Sequence, residues 1–320
     1  MTGNAQRVDP QPANACGEDR FRAIHRRLHA DHLSCLDDEW LTKPCRDATG
    51  RLLDRPLIWS RRNGPWRRVP VLWVGAAPGN AGGKGRGDLG AHGTRIPFGG
   101  DIAGANLEVL LGAIGLDRNR TFITAALNQL PARGGGEPTL AELRRPAGAF
   151  PSSIHLLRET ILAAGPSLIV ALGNIALRCI AAAAGPPVHA DRLPSLDRLR
   201  RLGAERGDLA PLANLAERDD AFRDTWSAAW QDAPLADVLW LVHPSGQNMS
   251  PFAAKNTLFH KRMIEARDAL RAVARNRPGC TIVAERPELP DDGIYALAEW
   301  RERIAPRHAR LDALWRAHGV

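Results

Sequence analysis

The sequence lacks the features that mark secreted, zinc-binding or membrane-spanning proteins. Its five cysteines include no CxxC pair and their number is odd, so the pattern indicates neither a disulfide framework nor a tetrahedral zinc site. No apolar run approaches the length needed to cross a bilayer, and the first residues contain no hydrophobic signal core. We therefore expect a cytoplasmic protein that has no membrane partner.

The sequence also lacks the common nucleotide-binding signatures. The segment GNAGGKGRG at Gly79–Gly87 is similar to a phosphate-binding loop, but Pro78 stands where the first glycine belongs. Gly85 replaces the serine or threonine that would hold magnesium, and no GxGxxG follows the preceding strand. We interpret the segment as a mobile basic loop. The alternative is that Lys84, Arg86 and the backbone amides contact phosphates.

Acidic residues are fewer than basic ones. The chain of 320 residues carries 43 Lys and Arg against 35 Asp and Glu, a formal net charge of +8, and arginine is far more frequent than lysine. A basic balance favours a polyanionic partner, and nucleic acid is the commonest one. The alternative is a GC-rich genome, which raises Arg, Ala, Gly and Pro throughout a proteome.

Strands and helices alternate regularly from residue 70 onward. The apolar periodicity predicts strands at Val71–Gly75, Thr121–Leu127, Pro166–Gly173 and Leu239–Val242. It predicts helices at Ala103–Gly115, Ile154–Ala164, Asn174–Ala184 and Pro251–Arg275. Because each strand is followed by a helix, we expect an α/β fold, a three-layer αβα sandwich around a central, mainly parallel four-stranded sheet.

The segments around this core differ in composition. Residues 1–69 are predicted to hold a disordered segment, a helix from Glu18 to Trp40 and a basic irregular region. The core spans 70–267, with a Pro-, Arg- and Asp-rich insertion at about 185–234 that we expect to contain short helices and no strand. A C-terminal helical extension covers 268–320, with one possible strand at Cys280–Ala284 and an amphipathic helix from Gly293 to about His318.

Two glycine-rich segments follow predicted strands at widely separated points of the chain. The first reads VLWVGAAPG and, after a loop, PFGGDIAG; the second reads VLWLVHPSGQN. The carboxyl ends of parallel strands meet at one edge of a sheet, where open α/β folds bind ligands. We therefore expect Phe98, Asp101 and His243 to share a pocket that holds a flat polar ring and cleaves a bond beside it.

The order of these motifs resembles the uracil-DNA glycosylase superfamily. GAAPG, PFGGDIAG, LIVALGNIA and HPSGQN occur in the order seen there, and the pattern is most similar to the B-type, family five, enzymes. The resemblance implies a monomeric DNA glycosylase that removes uracil or a related deaminated base and needs no metal or redox cofactor. Families four and five hold an iron–sulfur cluster through four cysteines. Those spacings are absent here, with Gln129 and Ser153 where ligands are expected, so we predict no cluster.

The resemblance also implies roles for particular residues. Phe98 would stack on a base flipped out of the DNA, within a base pocket that also contains Gly75, Ala76, Ala125 and Asn128. Asp101 would stabilise positive charge on the sugar or position water, and His243 would donate a hydrogen bond to the pyrimidine O2 of the departing base. DNA contacts are expected from Ser245, Gln247, Asn248, Lys255, Lys84 and Arg86.

Each of these assignments has a structural alternative. Asp101 immediately precedes a predicted helix and would serve there as an N-cap, which does not exclude catalysis. A histidine at a strand end is often structural, and Phe98 would be an ordinary core residue. The Arg- and Trp-rich stretch from Trp59 to Arg68 fits a solvated edge as well as a DNA contact.

Two alternative functions remain open on the sequence. Ala76 and Ala125 stand where relatives carry polar groups, and this substitution favours a catalytically silent protein that binds DNA or a modified base. The other alternative is an enzyme that acts on a free nucleoside or nucleotide with the same sheet, and such an enzyme would not need a basic surface.

Overall fold

The computed structural model describes a large part of the chain. The described residues are 17–28, 71–77, 97–99, 102–118, 121–127, 137–185, 192–215, 236–245, 257–275, 286, 288–291, 293–298 and 300–317.

The described strands form one five-stranded sheet in the order β2-β1-β3-β5-β4. The strands are β1 Val71–Gly75, β2 Phe122–Ala125, β3 Leu168–Leu172, β4 Leu209–Pro211 and β5 Asp237–Leu241. Strands β1, β2, β3 and β5 are parallel, as predicted, and β4 is antiparallel to β5. Strands β1 and β3 are buried along their whole length, which explains why they appear in the sequence as continuous apolar runs.

Helices cover both faces of the sheet. They are α1 Gly17–Leu28, α2 Ile102–Ala113, α3 Leu140–Leu143, α4 Ser153–Ala164, α5 Asn174–Ala184, α6 Leu196–Arg201, α7 Leu212–Leu215, α8 Thr257–Arg275 and α9 Ala305–Ala317. Alternate side chains of each strand enter different clusters. Leu72 and Val74 pack with α1, α4 and α5, whereas Val71 and Trp73 pack with α2, α8 and α9. The predicted three-layer αβα sandwich is therefore confirmed.

Most predicted elements lie within two or three residues of the observed ones. The glycine that ends α2 has a φ of +75° at Gly115, as its role as a helix cap requires. Helix α1 is described to Leu28, so the remainder of the helix predicted to Trp40 lies outside the described residues, as do residues 251–256 and the possible strand at Cys280–Ala284.

The prediction that the insertion contains no strand was wrong. Strand β4 lies within it and extends the sheet at the β5 edge, so the described sheet has five strands rather than four. The segment is short, and only its central residue Ala210 is buried. It ends at Pro211, which lacks a backbone donor and suits an edge strand. With so brief a pattern, pairing to β5 rather than local periodicity determines its conformation. The short helices expected there are α6 and α7.

The C-terminal extension is part of the core. Residues Gly293–Ala296 form a 3-10 turn and Trp300–Ile304 a π-helical turn, so the single helix predicted from Gly293 is interrupted and α9 starts only at Ala305. Helix α9 packs against α2. Its Leu311 and Trp315 are buried in the same cluster as Trp73 of β1, so the extension covers one face of the sheet.

Two further observations concern the interior and the helix lengths. Cys179 on α5 is fully buried, as expected, and burial raises the pKa of its thiol to about 12. Among the residues with a described structure, no helix combines the length and the apolarity that a membrane span requires.

If α9 is part of the core, Leu311→Ala should lower the free energy of unfolding by about 2–5 kcal/mol, because it leaves a cavity between α9 and α2. Leu209→Ala is the matched control, since the same atoms are removed from a leucine that is 38 % exposed. Its effect should stay within about 0.5 kcal/mol. Urea unfolding followed by circular dichroism measures both. Equal effects of the two variants would contradict the packing of α9.

Candidate active site at the carboxyl edge of the sheet

The carboxyl ends of β1, β3 and β5 lie side by side. Gly75 ends β1, Gly173 follows β3, and His243 lies just beyond β5, which is paired to β3 through Leu172 and Leu241. The chain passes from β1 to β2 on one side of β1 and later returns to β3 on the other. The crevice between β1 and β3 is therefore the point where the strand order reverses, the usual ligand site of an open α/β sheet.

The ring of Phe98 lies directly on the backbone of Gly75. A Cβ atom at Gly75 would be 2.6 Å from Cζ of Phe98 and 2.7 Å from its Cε2, closer than side chains approach each other. Ala125 on β2 is paired with Gly75 in the sheet. The predicted pocket residues Gly75, Phe98 and Ala125 are thus brought together, and only a glycine at position 75 leaves room for the ring in this position.

Phe98 has an unusual backbone conformation. Its φ is +58°, and among the described non-glycine residues it alone has a positive φ. A bulky side chain in this region is strained by roughly 1–3 kcal/mol, and such strain concentrates at ligand-binding sites. Helix α2 accommodates the turn at Gly104, where a Cβ would overlap the carbonyl oxygen of Phe98. The turn at Pro97 and Phe98 therefore requires a glycine in the facing helix, and it keeps Phe98 in a strained conformation.

His243 lies beside Phe98. The two ring centroids are 5.7 Å apart, with an angle of 36° between the planes. His243 also lies close to Gly173, which has a φ of +94°. A Cβ at Gly173 would be 3.2 Å from Cβ of His243, so the glycine gives His243 the space that it occupies. The next residue is also held, since Nδ2 of Asn106 on α2 donates to the carbonyl oxygen of Pro244 at 2.9 Å. The sequence thus correctly predicted that the two glycine-rich segments converge.

A buried ion pair supports the Phe98 turn from within. Arg118 donates to the carboxylate of Glu108 on α2 and to the carbonyl oxygens of Pro97 and Phe98, the last at 3.2 Å. The side chains of Arg118 and Glu108 are only 4 % and 0 % exposed. Charge-assisted hydrogen bonds in a buried setting are strong and directional, so they restrict the orientation of both carbonyl groups.

The described strand-end residues predicted to face the ligand carry little polar chemistry. Ala125 is buried and Ala76 is half-buried, and neither has a side-chain donor or acceptor. Ser245 is half-buried two residues after His243. Of the predicted site residues that the structure describes, His243 and Ser245 are the ones with polar side chains.

The remaining predicted site residues lie outside the described part of the chain. They are Asp101, Asn128, Gln247, Asn248, Lys255, Lys84 and Arg86. Their roles stay predictions. Asp101 follows Gly99 by two positions in the sequence and immediately precedes the first residue of α2.

Reasoning from the sequence missed the residues that hold the site together. Asn106 and Glu108 are polar residues inside the otherwise apolar AGANLEVLLGAIG segment, and both are buried. A buried carboxylate needs a partner, so Glu108 together with the nearby Arg118 was a usable signal for an ion pair. Gly104 and Gly173 had no such signal, because only the fold shows what approaches them.

Two residues that bear on the prediction of no iron–sulfur cluster, Cys179 and Ser153, are described. Cys179 is the one cysteine among the described residues, and it is packed in the apolar cluster around α5. Ser153, at a position where a ligand was expected, is fully buried at the start of α4. The other four cysteines and Gln129 lie outside the described residues, so the absence of a cluster stays a prediction.

Two glycines of the same helix provide a test of the Phe98 turn. Gly104→Ala places a methyl group on the Phe98 carbonyl and should destabilise the protein by about 1–3 kcal/mol. Gly112→Ala is the control, because a Cβ there meets nothing within 4 Å, and alanine should stabilise the helix by about 0.5–1 kcal/mol. Thermal unfolding of the two variants should therefore shift in opposite directions. A shift of the same sign and size in both would contradict the close approach of Phe98 to α2.

The sequence matches a known protein family over the whole of the described sheet. The family model described as "Uracil DNA glycosylase superfamily" matches residues 63–267, a segment that includes β1 to β5 and both glycine-rich motifs. No curated protein matches the chain significantly. Since the family model covers more than half of the sequence and the matched segment forms an α/β sandwich, the chain belongs to the uracil DNA glycosylase superfamily.

Proposed function

We infer that the protein is a monofunctional DNA N-glycosylase that excises uracil or a related deaminated base in base excision repair. Membership of the superfamily supports N-glycosylase chemistry on DNA in general. The observation that carries the finer proposal is that the edge of the Phe98 ring packs against Gly75, with the His243 ring 5.7 Å away. A flat aromatic face beside a hydrogen-bond donor is what recognition of an extruded pyrimidine or purine requires.

The base would bind against the face of Phe98. The ring is half-buried and its edge abuts Gly75, so it offers a rigid stacking surface at small cost in conformational entropy. Gly75 has no side chain and Ala125 only a methyl group, so the backbone of β1 and β2 would itself form one wall of the pocket. A backbone wall of this kind contributes donors and acceptors without side chains.

Hydrolysis separates charge, and the proposed residues act on the two ends of the breaking bond. Positive charge develops on the sugar and negative charge on the departing base. We assign Asp101 to stabilising the sugar cation or positioning the attacking water, and His243 to donating a hydrogen bond to the pyrimidine O2. The hydrogen bond from Asn106 to the Pro244 carbonyl restricts the segment that carries His243 and so supports this role.

The proposed partner is DNA, and the proposed location is the cytoplasm. The net charge of +8 favours association with a polyanion. We assign phosphate and minor-groove contacts to Ser245, Gln247, Asn248 and Lys255, with Lys84 and Arg86 as additional phosphate contacts. A single chain supplies all of these residues, which is consistent with a monomer.

Incubation with labelled oligonucleotides tests the activity. Strands containing uracil, hypoxanthine or xanthine, single- and double-stranded, are treated with the protein and then with alkali, which cleaves at abasic sites. At least one of them should be cut, whereas the undamaged duplex should stay intact. A wild-type protein that cuts none of them would contradict the proposed activity.

Two substitutions test the assigned roles. Asp101→Asn and His243→Gln should each lower the single-turnover rate on the order of 10²-fold or more, because each removes a group that acts in the transition state. The matched controls are Asp197→Asn, an exposed carboxylate on α6, and His155→Gln, a histidine on α4. Both residues lie on helices that cover the face of the sheet opposite to α2. The single-turnover rates of these two variants should equal the wild-type rate. Full activity of Asp101→Asn would refute the catalytic assignment of Asp101.

One observation favours a second function. Ala125 is buried and pairs with Gly75, so this wall of the pocket has no side chain that reads a base edge. A protein that recognises a modified base in DNA without cutting it would have the same pocket. In a fluorescence-anisotropy titration, such a protein would bind the uracil- or hypoxanthine-containing duplex more tightly than the matched undamaged duplex. It would leave all strands intact.

A further inference from the structure

The conformation of Phe98 needs a partner that the glycines do not provide. Gly75 and Gly104 leave room for the ring and the carbonyl, but room alone does not favour a φ of +58° over relaxed conformations. Attractive contacts must compensate for the strain. Arg118 makes them, because its guanidinium donates to both the Pro97 and the Phe98 carbonyl oxygens, the two groups whose directions define the turn.

The guanidinium of Arg118 is itself held in position by Glu108. The carboxylate of Glu108 accepts from Nε of Arg118, which leaves the terminal nitrogens directed at the carbonyl groups. Arginine presents several donors in one rigid plane, so the three acceptors are held in a defined arrangement. A lysine would retain the charge but would not hold the same three acceptors with one planar group.

Tyr295 closes the network from the C-terminal extension. Its hydroxyl oxygen accepts from the backbone N–H of Arg118 at 2.6 Å, and its O–H donates to Oε2 of Glu108 at 3.3 Å. Burial and the Glu108 carboxylate raise the pKa of Tyr295 above its ordinary value, so the hydroxyl keeps its proton. Trp300 packs edge-on against the Tyr295 ring at 4.8 Å, with the Arg118 guanidinium 5.8 Å from the Trp300 centroid.

These contacts join the site to a part of the chain that the family model does not include. Glu108 and Arg118 lie inside the matched segment 63–267, whereas Tyr295 and Trp300 lie beyond its end. We propose that Arg118, held by Glu108 and Tyr295, is a positioning residue that sets the stacking face of Phe98, and that residues 293–300 are therefore a functional part of the pocket. This inference rests on the proposed base-excising function for its effect on rate, and on geometry alone for its effect on Phe98.

The first test separates positioning from stability. Arg118→Lys keeps a charge partner for Glu108 and should lower the single-turnover rate on the order of 10²-fold, and Tyr295→Phe on the order of tenfold, because a small displacement of a positioning group is costly. Leu311→Ala is the control, since it removes packing between α9 and α2 and leaves the network intact. At a temperature where all variants are folded, its rate should equal wild type although its melting temperature falls.

A paired substitution covers the case in which Arg118→Lys does not fold. The double variant Glu108→Gln/Arg118→Met removes both buried charges together, so no charge is left unpaired. The double variant should fold, and its single-turnover rate should fall by the same order of magnitude as that of Arg118→Lys. A folded double variant with the wild-type rate would overturn the proposal, because it would show that the ion pair serves stability alone.

The second test does not depend on activity. The chain contains seven phenylalanines, so 4-fluorophenylalanine labelling gives a small set of ¹⁹F NMR resonances, of which Phe98 and Phe150 are assigned with Phe98→Leu and Phe150→Leu. Phe150 lies in the cluster on the opposite face and serves as the internal reference. In Arg118→Lys and Tyr295→Phe the Phe98 resonance should shift or broaden, whereas the Phe150 resonance should stay in place.

The two tests distinguish the possible failures. If the wild-type protein cuts no oligonucleotide but the Phe98 resonance responds, the proposed function fails and the positioning role stands. If the wild-type protein is active and the Phe98 resonance is unchanged in both single variants, the positioning role is overturned whatever their rates. Equal loss of rate in Leu311→Ala and Tyr295→Phe would also overturn it, because stability would then explain both.

Discussion

The site depends on the buried ion pair between Glu108 and Arg118. Glu108 lies on helix α2 and Arg118 lies just beyond its end, and the arginine directs its remaining donors at the carbonyl groups of Pro97 and Phe98. Burying two charges is costly unless every hydrogen-bonding group is satisfied. Here the backbone of a strained turn supplies the acceptors that the arginine needs, and the arginine supplies the donors that the turn needs. Each therefore stabilises the other.

Close approach of backbone segments is the second constraint on the pocket. Gly75, Gly104 and Gly173 each leave space that a methyl group would fill, and each space is occupied by Phe98 or His243. The pocket is thus assembled by contacts among loops and strand ends rather than by polar side chains on the strands. This arrangement agrees with a rigid scaffold that presents its functional groups on loops.

Much of the fold could be predicted because the signals were local. Strand β1 and helix α5 were predicted at their observed bounds, since buried parallel strands and capped helices have continuous or periodic apolar patterns. Strand β4 could not be predicted, because three residues carry no usable period and pairing with β5 decides their conformation. The interrupted helix after Gly293 was missed for a similar reason. Its turns place Tyr295 against Glu108 and Trp300 near Arg118. The members of each pair are more than a hundred residues apart in the sequence.

The sequence by itself determined the alternation of strands and helices, and the motif order by which Phe98 and His243 were expected to meet. It did so because parallel strands direct their carboxyl ends to one edge whatever the details of packing. Only the tertiary structure decided which residues hold that edge in shape. The partners of Arg118 and the neighbours of Gly104 and Gly173 are set by distances between segments remote in the chain. A one-dimensional pattern records the identity of such residues but not what lies beside them.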